Sequence, residues 1–303
     1  MAEELVAADI RVAKTLPSKF YYEQEIFNFL KPIFSNWQFA THDSEMKTNS
    51  IIPLDHIEAI TGETIIIASG EKTQCLSNIC THRGMRLALQ PCTKSILQCE
   101  YHGRTFDLNG KMKHMPEFEQ AIGFPSESDN LRNFPMHSWN GINFVSQEGE
   151  LELPWTEIGN RFDFLDIESF VHDSSRDRDH SINANWMLYV DNYLEGFHIP
   201  FVHGDLHQVL DYDGYRTELF EGGVLQIGIA NEGEPCFDLP ADHPDFGQKV
   251  AAYYYWLFPG LMLNFYPWGL SVNLVIPESV SYTHLRAHET SLQRVCRLLL
   301  EKK

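Results

Sequence analysis

The last third of the chain alternates short apolar runs with turn-forming residues, a pattern typical of antiparallel strands. Residues 250–277 contain no charged side chain, which is a stretch long enough to cross a bilayer. Proline, glycine and asparagine interrupt it at Pro259, Gly260, Asn264, Pro267, Gly269 and Asn273. The remaining runs, YYYWLF, LMLNFY and LSVNLVI, are rich in aromatic and β-branched residues. We therefore expect buried strands joined by turns rather than a membrane helix.

The sequence upstream predicts one helix and several shorter strands. The run YEQEIFNFLKPIF (22–34) predicts an N-terminal helix. Residues 64–69, 96–98 and 105–108 predict strands, and the last of these leads into an Asn109-Gly110 hairpin turn. We expect an α+β chain of four parts. The first part is a helical segment (1–36), and the second is an all-β domain (37–150) that ends in the strand INFVS. The third is a second domain of antiparallel sheet and helices (151–278), which includes a strand at 225–229 and against which the helical segment packs. The fourth is a tail (279–303).

Composition and charge narrow the class of protein. The 303 residues are 43% hydrophobic, enough for one large globular domain or two ordinary ones. The 23 basic and 42 acidic residues give a formal charge of −19, which disfavours nucleic acid and anionic membranes as partners. The first twenty residues lack the continuous apolar core and the cleavage site of a signal peptide. We therefore expect a cytoplasmic protein.

The tail (279–303) departs from the rest of the chain in pattern and charge. It holds five basic and two acidic residues, whereas residues 1–278 hold 18 and 40. An amphipathic helix is one interpretation, because Leu292, Val295 and Leu299 have helical spacing. We favour another: SVSYTHLRAHET resembles an in-frame translation of a sequencing-library adapter. The natural sequence would then end near Glu278, so His284, His288 and Cys296 are excluded as site residues.

Two loops carry one cysteine and one histidine each. Residues 80–84 read CTHRG and residues 99–103 read CEYHG, with residues 85–98 between them. A Rieske [2Fe-2S] cluster uses this ligand set, because two thiolates hold one iron and two imidazoles hold the other. Gly84 and Gly103 follow the ligands and permit tight turns. The motif predicts a Rieske cluster, and its ligands are Cys80, His82, Cys99 and His102.

A structural zinc ion is the alternative, because two cysteines and two histidines also suit zinc. Zinc fingers usually pair cysteine with cysteine along the chain and are followed by a helix, whereas predicted strands surround these loops. The pattern therefore favours the Rieske cluster. The remaining cysteines of the body, Cys75, Cys92 and Cys236, are interpreted as free thiols.

A second set of metal-ligand residues lies in NWMLYVDNYLEGFHIPFVH (185–203). On a helix, Glu195 and His198 would share one face. Pro200 would end or kink that helix, which would allow His203 to approach the same metal. Two histidines and a carboxylate with open positions form the facial triad of non-haem Fe(II) oxygenases. The alternative is a core helix with two incidental histidines, and His207 is predicted to be an exposed helix residue.

Together these motifs resemble the α-subunit of Rieske aromatic-ring-hydroxylating oxygenases over residues of about 20–278. The string at 185–203 looks most like the branch of choline monooxygenase and quaternary-amine demethylases. The resemblance implies that His198 and His203 bind a mononuclear Fe(II) and that Asn192 is a polar residue near it. It also implies that Glu195 bridges this site to His102 of a neighbouring subunit. The family's third iron ligand, a downstream carboxylate, is expected beyond Glu278, since Asp238, Asp242 and Asp245 come too early.

Two further comparisons with the family concern the first motif. Respiratory Rieske proteins carry two additional cysteines where this chain has Met85 and Tyr101, so the motif resembles the oxygenase and ferredoxin branch. Arg104 stands where these oxygenases commonly have tryptophan. We expect this arginine to alter the surface that packs against a neighbouring subunit.

The resemblance implies a terminal oxygenase that uses O₂ and NAD(P)H-derived electrons to hydroxylate or demethylate a quaternary amine or an aromatic ring. No nicotinamide or flavin motif is present, so a separate reductase, with or without a ferredoxin, would supply the electrons. The family is commonly homotrimeric. Candidates for a cation-binding aromatic cage are Phe201, Tyr254, Trp256 and Tyr266, with core packing as the alternative. A protein of a different class, a non-catalytic Rieske electron carrier by nature or by loss of the third ligand, remains open.

Overall fold

The computed structural model describes residues 6–7, 9–147 and 155–291. Its first half contains four short helices and ten strands within the described residues. Their bounds are α1 (Lys19–Tyr22), α2 (Gln24–Leu30), β1 (Gln38–His42), α3 (Asp43–Met46), β2 (Ile51–Pro53), α4 (Asp55–Thr61), β3 (Ile65–Ser69), β4 (Thr73–Ser77), β5 (Ile96–Gln98), β6 (Thr105–Asp107), β7 (Met112–His114), β8 (Asn133–Phe134), β9 (Met136–Trp139) and β10 (Ile142–Val145).

The second half is built around one large sheet. Its elements are α5 (Trp155–Phe162), β11 (Val171–His172), β12 (Arg178–Ile182), α6 (Trp186–Tyr193), α7 (Ile199–Val202), α8 (Gly204–Val209), β13 (Leu210–Phe220), β14 (Gly223–Ala230), β15 (Val250–Leu257), β16 (Leu261–Tyr266), β17 (Gly269–Ser279) and β18 (Tyr282–Ser291). The eight strands from β11 to β18 pair antiparallel in the order β11-β18-β17-β16-β15-β14-β13, and β12 also pairs with β18.

Three small antiparallel sheets form the first half, with the orders β1-β10-β9, β2-β3-β4-β8 and β5-β6-β7. The predicted strands are confirmed, and the strand at 96–98 matches its predicted bounds. The Asn109-Gly110 turn is also confirmed, because Gly110 adopts a φ of +83° that a side chain would disfavour. The second Cys/His loop lies between β5 and β6, so these short strands position Cys99 and His102.

The aromatic runs of the second half form the centre of the large sheet, as predicted. YYYWLF lies in β15, LMLNFY in β16 and LSVNLVI in β17, and the proline–glycine segments between them are the turns. Tyr253, Met262 and Phe265 are fully buried in the main core, which continues across to Phe39 and Phe144 of the first half. A shared core therefore fixes the two halves against each other. Within the described residues, no helix combines the length and apolarity needed to span a membrane.

The N-terminal segment packs on the large sheet but is not one helix. The structure divides residues 22–34 among α1, α2 and a 3₁₀ turn, Lys31–Ser35. Pro32 lies in the first turn of the 3₁₀ segment, where its missing N–H leaves no hydrogen bond unmade. Phe34 then meets Trp186 edge to face, with ring centroids 4.9 Å apart. The contact with the second domain is confirmed, and the prediction of a continuous helix is wrong.

The strand pattern was expected to stop near residue 279, and the structure corrects this. β18 pairs with β17 along its length, with Thr283 and Leu285 facing the interior. Thr283, Glu289 and Thr290 each make a side-chain hydrogen bond to a neighbouring element, whereas two other polar side chains leave buried atoms unbonded. His288 is 6% exposed and neither ring nitrogen has a hydrogen-bond partner within the described residues, and the same holds for Nε of Arg286. Each such buried group costs about 1–3 kcal/mol. Leu292, Val295 and Leu299, the basis of the helical alternative, lie outside the described residues.

A buried carboxylate ties three elements of the second half together. Asp245, 2% exposed, accepts from Nη1 of Arg161 on α5 at 2.7 Å and from Nη2 of Arg216 on β13. The hydroxyl of Tyr253 on β15 also donates to it at 2.9 Å. Removing one partner of a buried pair leaves the other charges uncompensated. Asp245 is thus a structural residue, a role that the sequence analysis did not predict.

We expect Asp245→Ala to lower the free energy of unfolding by about 3 kcal/mol, because two guanidinium groups lose their buried partner. Urea denaturation followed by fluorescence measures the change. Asp242→Ala is the matched control: Asp242 is exposed on the same loop, and we expect a change within about 0.5 kcal/mol. Equal effects of the two substitutions would contradict the structural role of Asp245.

Candidate metal centres

The two ligand loops close with the same pair of backbone hydrogen bonds. In the first, the N–H of Cys80 donates to the carbonyl of Met85 at 2.8 Å, and Gly84 N–H donates to Cys80 at 3.0 Å. In the second, Cys99 N–H donates to the carbonyl of Arg104 at 2.8 Å, and Gly103 N–H donates to Cys99 at 2.9 Å. Both glycines have positive φ, +73° and +75°. The glycines are therefore required by the backbone conformation, as the motif predicts.

The four predicted cluster ligands converge between these loops. The rings of His82 and His102 lie 4.6 Å apart between centroids, and Cys80 and Cys99 are both buried. Burial and the adjacent Cys99 thiol raise the pKa of Cys80, because two thiolates in one buried site repel each other. Bound iron removes that penalty. Nδ1 of His82 is buried without a hydrogen-bond partner within the described residues, so it is available as a ligand atom.

This donor set fits a Rieske cluster. Two thiolates and two imidazoles come from paired loops, and the half-exposed His82 and exposed His102 lie at the rim. Burial, then the His102 ring and the charges of Arg104 and Arg83, lower the pKa of His82, which favours the neutral imidazole that a metal requires. Cys75, Cys92 and Cys236 are free thiols, as predicted, and Cys296 lies outside the described residues.

Arg104 does not lie where the sequence analysis expected it. Its side chain is 3% exposed and therefore forms no part of the outer surface of this chain. It turns inward because Thr81 and Asp129 offer hydrogen-bond acceptors beneath the first ligand loop. The prediction that Arg104 alters a surface facing a neighbouring subunit is therefore wrong.

The second candidate site lies where helix α6 ends. The prediction that one helix carries Glu195 and His198 is wrong, because α6 stops at Tyr193 and Glu195 lies in the loop that follows. Oε2 of Glu195 accepts from the backbone N–H of His198 at 3.3 Å, and this bond replaces a helical one. Pro200 falls in the first turn of α7, where proline is tolerated, so the chain breaks before the proline rather than at it.

The break still brings the predicted residues together. Nδ1 of His198 and Oε1 of Glu195 are 2.6 Å apart, and the rings of His198 and His203 lie 5.0 Å apart between centroids. Both histidines, Glu195 and Asn192 line one cavity of about 280 Å³. His207 is exposed on α8 and is not among the lining residues, in agreement with the prediction. Glu195 is the only carboxylate of the described residues that line this cavity.

Tyrosines form much of the remaining wall, and most of them were missed. Of the predicted aromatic cage, Tyr254 lines the cavity, whereas Trp256 and Tyr266 do not and Phe201 is 88% exposed. Tyr189, Tyr193 and Tyr215 line it as well. Tyr189 and Tyr193 share a helix face with Asn192, so helical spacing could have identified them. Tyr215 comes from β13, and no local signal in the sequence indicates it.

Hydrogen bonds hold this wall in place. The hydroxyl of Tyr215 donates to Oε1 of Gln226 at 2.9 Å, and Nε2 of Gln226 donates to the carbonyl of Tyr193 at 2.7 Å. The Tyr193 hydroxyl donates to Oδ1 of Asn264 at 2.6 Å. The end of α6 is thereby attached to β13, β14 and β16, so the sheet positions the loop that carries the metal ligands.

A third group of ligand-type side chains lies elsewhere, at the contact of β11 and β18. His172, Asp177 and His288 place one ligand atom each within 4.8 Å of one another. We assign no ion to this group, because His288 belongs to the tail interpreted as non-native.

Two family models match this chain, one in each half. Residues 36–135 match the family model of the Rieske [2Fe-2S] domain, and residues 166–292 match that of the ring hydroxylating alpha subunit (catalytic domain). The chain is 28% identical over 277 residues to the carnitine monooxygenase oxygenase subunit of Escherichia coli (strain K12), covering 87% of this chain and 71% of the relative. It is 27% identical over 288 residues to the chloroplastic choline monooxygenase of Arabidopsis thaliana, covering 88% and 65%.

The fold is similar to that of a quaternary ammonium Rieske monooxygenase, with a TM-score of 0.77, 22% identity and coverage of 94% of this chain and 79% of that structure. The two matched domains imply a Rieske cluster and a mononuclear iron. Members of this family work with a separate reductase and O₂ and form oligomers. The chain belongs to the Rieske non-haem iron oxygenases, as the α-subunit that acts as terminal oxygenase.

Proposed function

We propose that the substrate is a small quaternary amine, which the enzyme hydroxylates or demethylates. The observation that carries this proposal is the cavity wall of Tyr189, Tyr193, Tyr215 and Tyr254 beside the carboxylate of Glu195. Aromatic faces attract a quaternary ammonium ion. Burial raises the pKa of Tyr254 to about 12, so this phenol stays neutral and keeps its hydrogen-bonding proton at physiological pH. An aromatic ring is the second candidate, because the same wall would pack against it.

The residues have distinct roles in this proposal. Cys80, His82, Cys99 and His102 hold the cluster, and His198 and His203 hold the mononuclear iron. When bound, these groups supply electron storage and O₂ activation. Oε1 of Glu195 accepts the Nδ1 proton of His198, which fixes the tautomer whose Nε2 is free to bind metal. Asn192 contributes a polar side chain to the same cavity.

We propose further that the enzyme acts as a cytoplasmic homotrimer in which Glu195 faces His102 of the next subunit. Two exposed apolar patches support this arrangement, one beside each metal centre. The iron-side patch consists of Phe197, Phe201 and Val202, and the cluster-side patch consists of Leu89 and Tyr101. Exposed apolar surface of this kind marks contact sites, and head-to-tail contact between unlike patches closes a ring. A separate NAD(P)H-dependent reductase, with or without a ferredoxin, would deliver the electrons.

The alternative is a Rieske electron carrier without a second iron, and iron content distinguishes the two. We expect three irons per chain in the protein expressed from the complete gene, two in the cluster and one at His198 and His203. The double substitution of His198 and His203 by alanine should reduce this to two and leave the electron paramagnetic resonance signal of the cluster unchanged. His207→Ala, a matched histidine on the adjacent helix, should keep all three. Two irons in the unsubstituted protein would support the carrier.

The substrate proposal is tested by binding. Tyr254→Leu should weaken the binding of choline by about tenfold, because a cation–π contact contributes about 0.5–2 kcal/mol. Tyr254→Phe retains the ring and should change the affinity little. Calorimetric titration with choline and with its neutral tert-butyl analogue measures both effects. An equal loss for the charged and neutral compounds would argue for shape alone and against recognition of a cation.

The last part of the proposal concerns the sequence after Glu278. We propose that residues 279–303 are not native and that the third iron ligand follows Glu278 in the natural protein. The unbonded ring nitrogens of His288 and Nε of Arg286 support the first part, whereas the match to the catalytic-domain family model extends to residue 292. Amplification of the gene from its source should give a different sequence after Glu278 that includes a downstream aspartate or glutamate. A source gene that encodes SYTHLRAHET would overturn this proposal.

A further inference from the structure

Arg104 is a buried cation that follows directly after the second ligand loop. Its Nη1 donates to Oγ1 of Thr81 at 2.7 Å and lies 3.2 Å from Oδ1 of Asp129. Its guanidinium carbon lies 5.3 Å from the ring centroid of Phe124. A charged side chain is seldom this buried without a specific partner, so these contacts require an explanation.

The partner of Arg104 lies in the first ligand loop. Thr81 stands between Cys80 and His82, and its hydroxyl also donates to the backbone carbonyl of Asp129 at 2.7 Å. Arg104 itself accepts at its carbonyl from the N–H of Cys99. Its backbone therefore closes one ligand loop while its side chain holds the other. The two halves of the cluster site are connected through this residue.

The charge of Arg104 faces one carboxylate, which is more exposed to solvent than the guanidinium group itself. Asp129 is its one ion-pair partner within the described residues, and Oδ2 of that carboxylate is taken by the N–H and hydroxyl of Ser126. Nε of Arg104 has no hydrogen-bond partner within the described residues. Thr81, whose hydroxyl accepts from Nη1 of Arg104 at 2.7 Å, lies between the predicted ligands Cys80 and His82. The guanidinium group therefore lies directly beside the first ligand loop.

We propose that Arg104 is a positioning residue that places a fixed positive charge beside the Rieske cluster and raises its reduction potential. Reduction adds one electron, supplied by the reductase, and so makes the cluster more negative. A fixed cation stabilises the reduced form relative to the oxidised form, since net charge and hydrogen bonds around a cluster set its potential. The proposal rests on the assignment of the cluster to the two loops and not on the identity of the substrate.

Three substitutions separate charge from structure. Arg104→Met removes the cation, Asp129→Asn removes its counter-charge, and Arg104→Lys keeps the charge without the planar fork. The potential of the cluster in the whole protein is measured by redox titration, followed by its electron paramagnetic resonance signal at one fixed pH. Arg104→Met should lower the ratio of reduced to oxidised cluster at a given potential by about tenfold, which is about 59 mV. Asp129→Asn should raise that ratio, and Arg104→Lys should leave it near the original value.

We expect the two substitutions to shift the reduction potential of the cluster in opposite directions. This result is decisive because Arg104→Met and Asp129→Asn break the same ion pair. Loosening of the site alone would shift both potentials in one direction or leave both unchanged, and either result would overturn the proposal. If Arg104→Met loses the cluster, the potential of Asp129→Asn decides between the outcomes. An unchanged or lowered potential in that variant overturns the Arg104 proposal. A protein without any Rieske signal would overturn the cluster assignment itself, which distinguishes that failure from failure of the Arg104 proposal.

Discussion

The hydrogen bond from a glycine N–H to the carbonyl of the ligand cysteine is the contact on which the cluster site depends. It occurs in both ligand loops, at 3.0 Å and 2.9 Å, and in both it requires a glycine at positive φ. The bond turns the chain sharply enough that the histidine two or three residues after the cysteine returns to the same point. A side chain at either glycine would oppose this turn. The convergence of the four predicted ligands is thus a consequence of the backbone geometry at two glycines, neither of which is a candidate ligand.

The second centre is built on an interrupted helix rather than a continuous one. Glu195 satisfies a backbone N–H that the helix leaves unpaired, and with its other oxygen it holds the imidazole of His198. A carboxylate in a regular helix would project from the surface and could not do both. The bonds from Tyr193 and Gln226 to the sheet then fix where the interruption falls. The backbone and the ring of His198 are therefore held by the same residue.

Much of this architecture could be predicted from local patterns. Each of the two Cys/His loops, the buried strands of the large sheet and the turns between them depend on residues within a few positions of each other. The predictions that failed concern contacts between residues far apart in the sequence. The end of α6 at Tyr193 depends on contacts with β14 and β16, and Tyr215 enters the cavity through strand pairing far along the chain. The burial of Arg104 depends on Asp129, which lies 25 residues away. Helical periodicity and motif spacing contain no information about such contacts.

Strand β18 shows that backbone pairing and side-chain fit are separate conditions. The edge of β17 offers a row of unpaired N–H and carbonyl groups, and these accept the backbone of almost any extended sequence. The backbone of residues 282–291 satisfies them fully, and its alternation even places Thr283 and Leu285 inward. Side chains are more selective. An imidazole buried without a hydrogen bond needs a neighbouring group to satisfy it, and the group that faces Nδ1 of His288 is Oδ2 of Asp177, 3.7 Å away. β18 therefore meets the backbone condition through its pairing with β17, whereas His288 and Nε of Arg286 do not meet the side-chain condition by hydrogen bonds within the described residues.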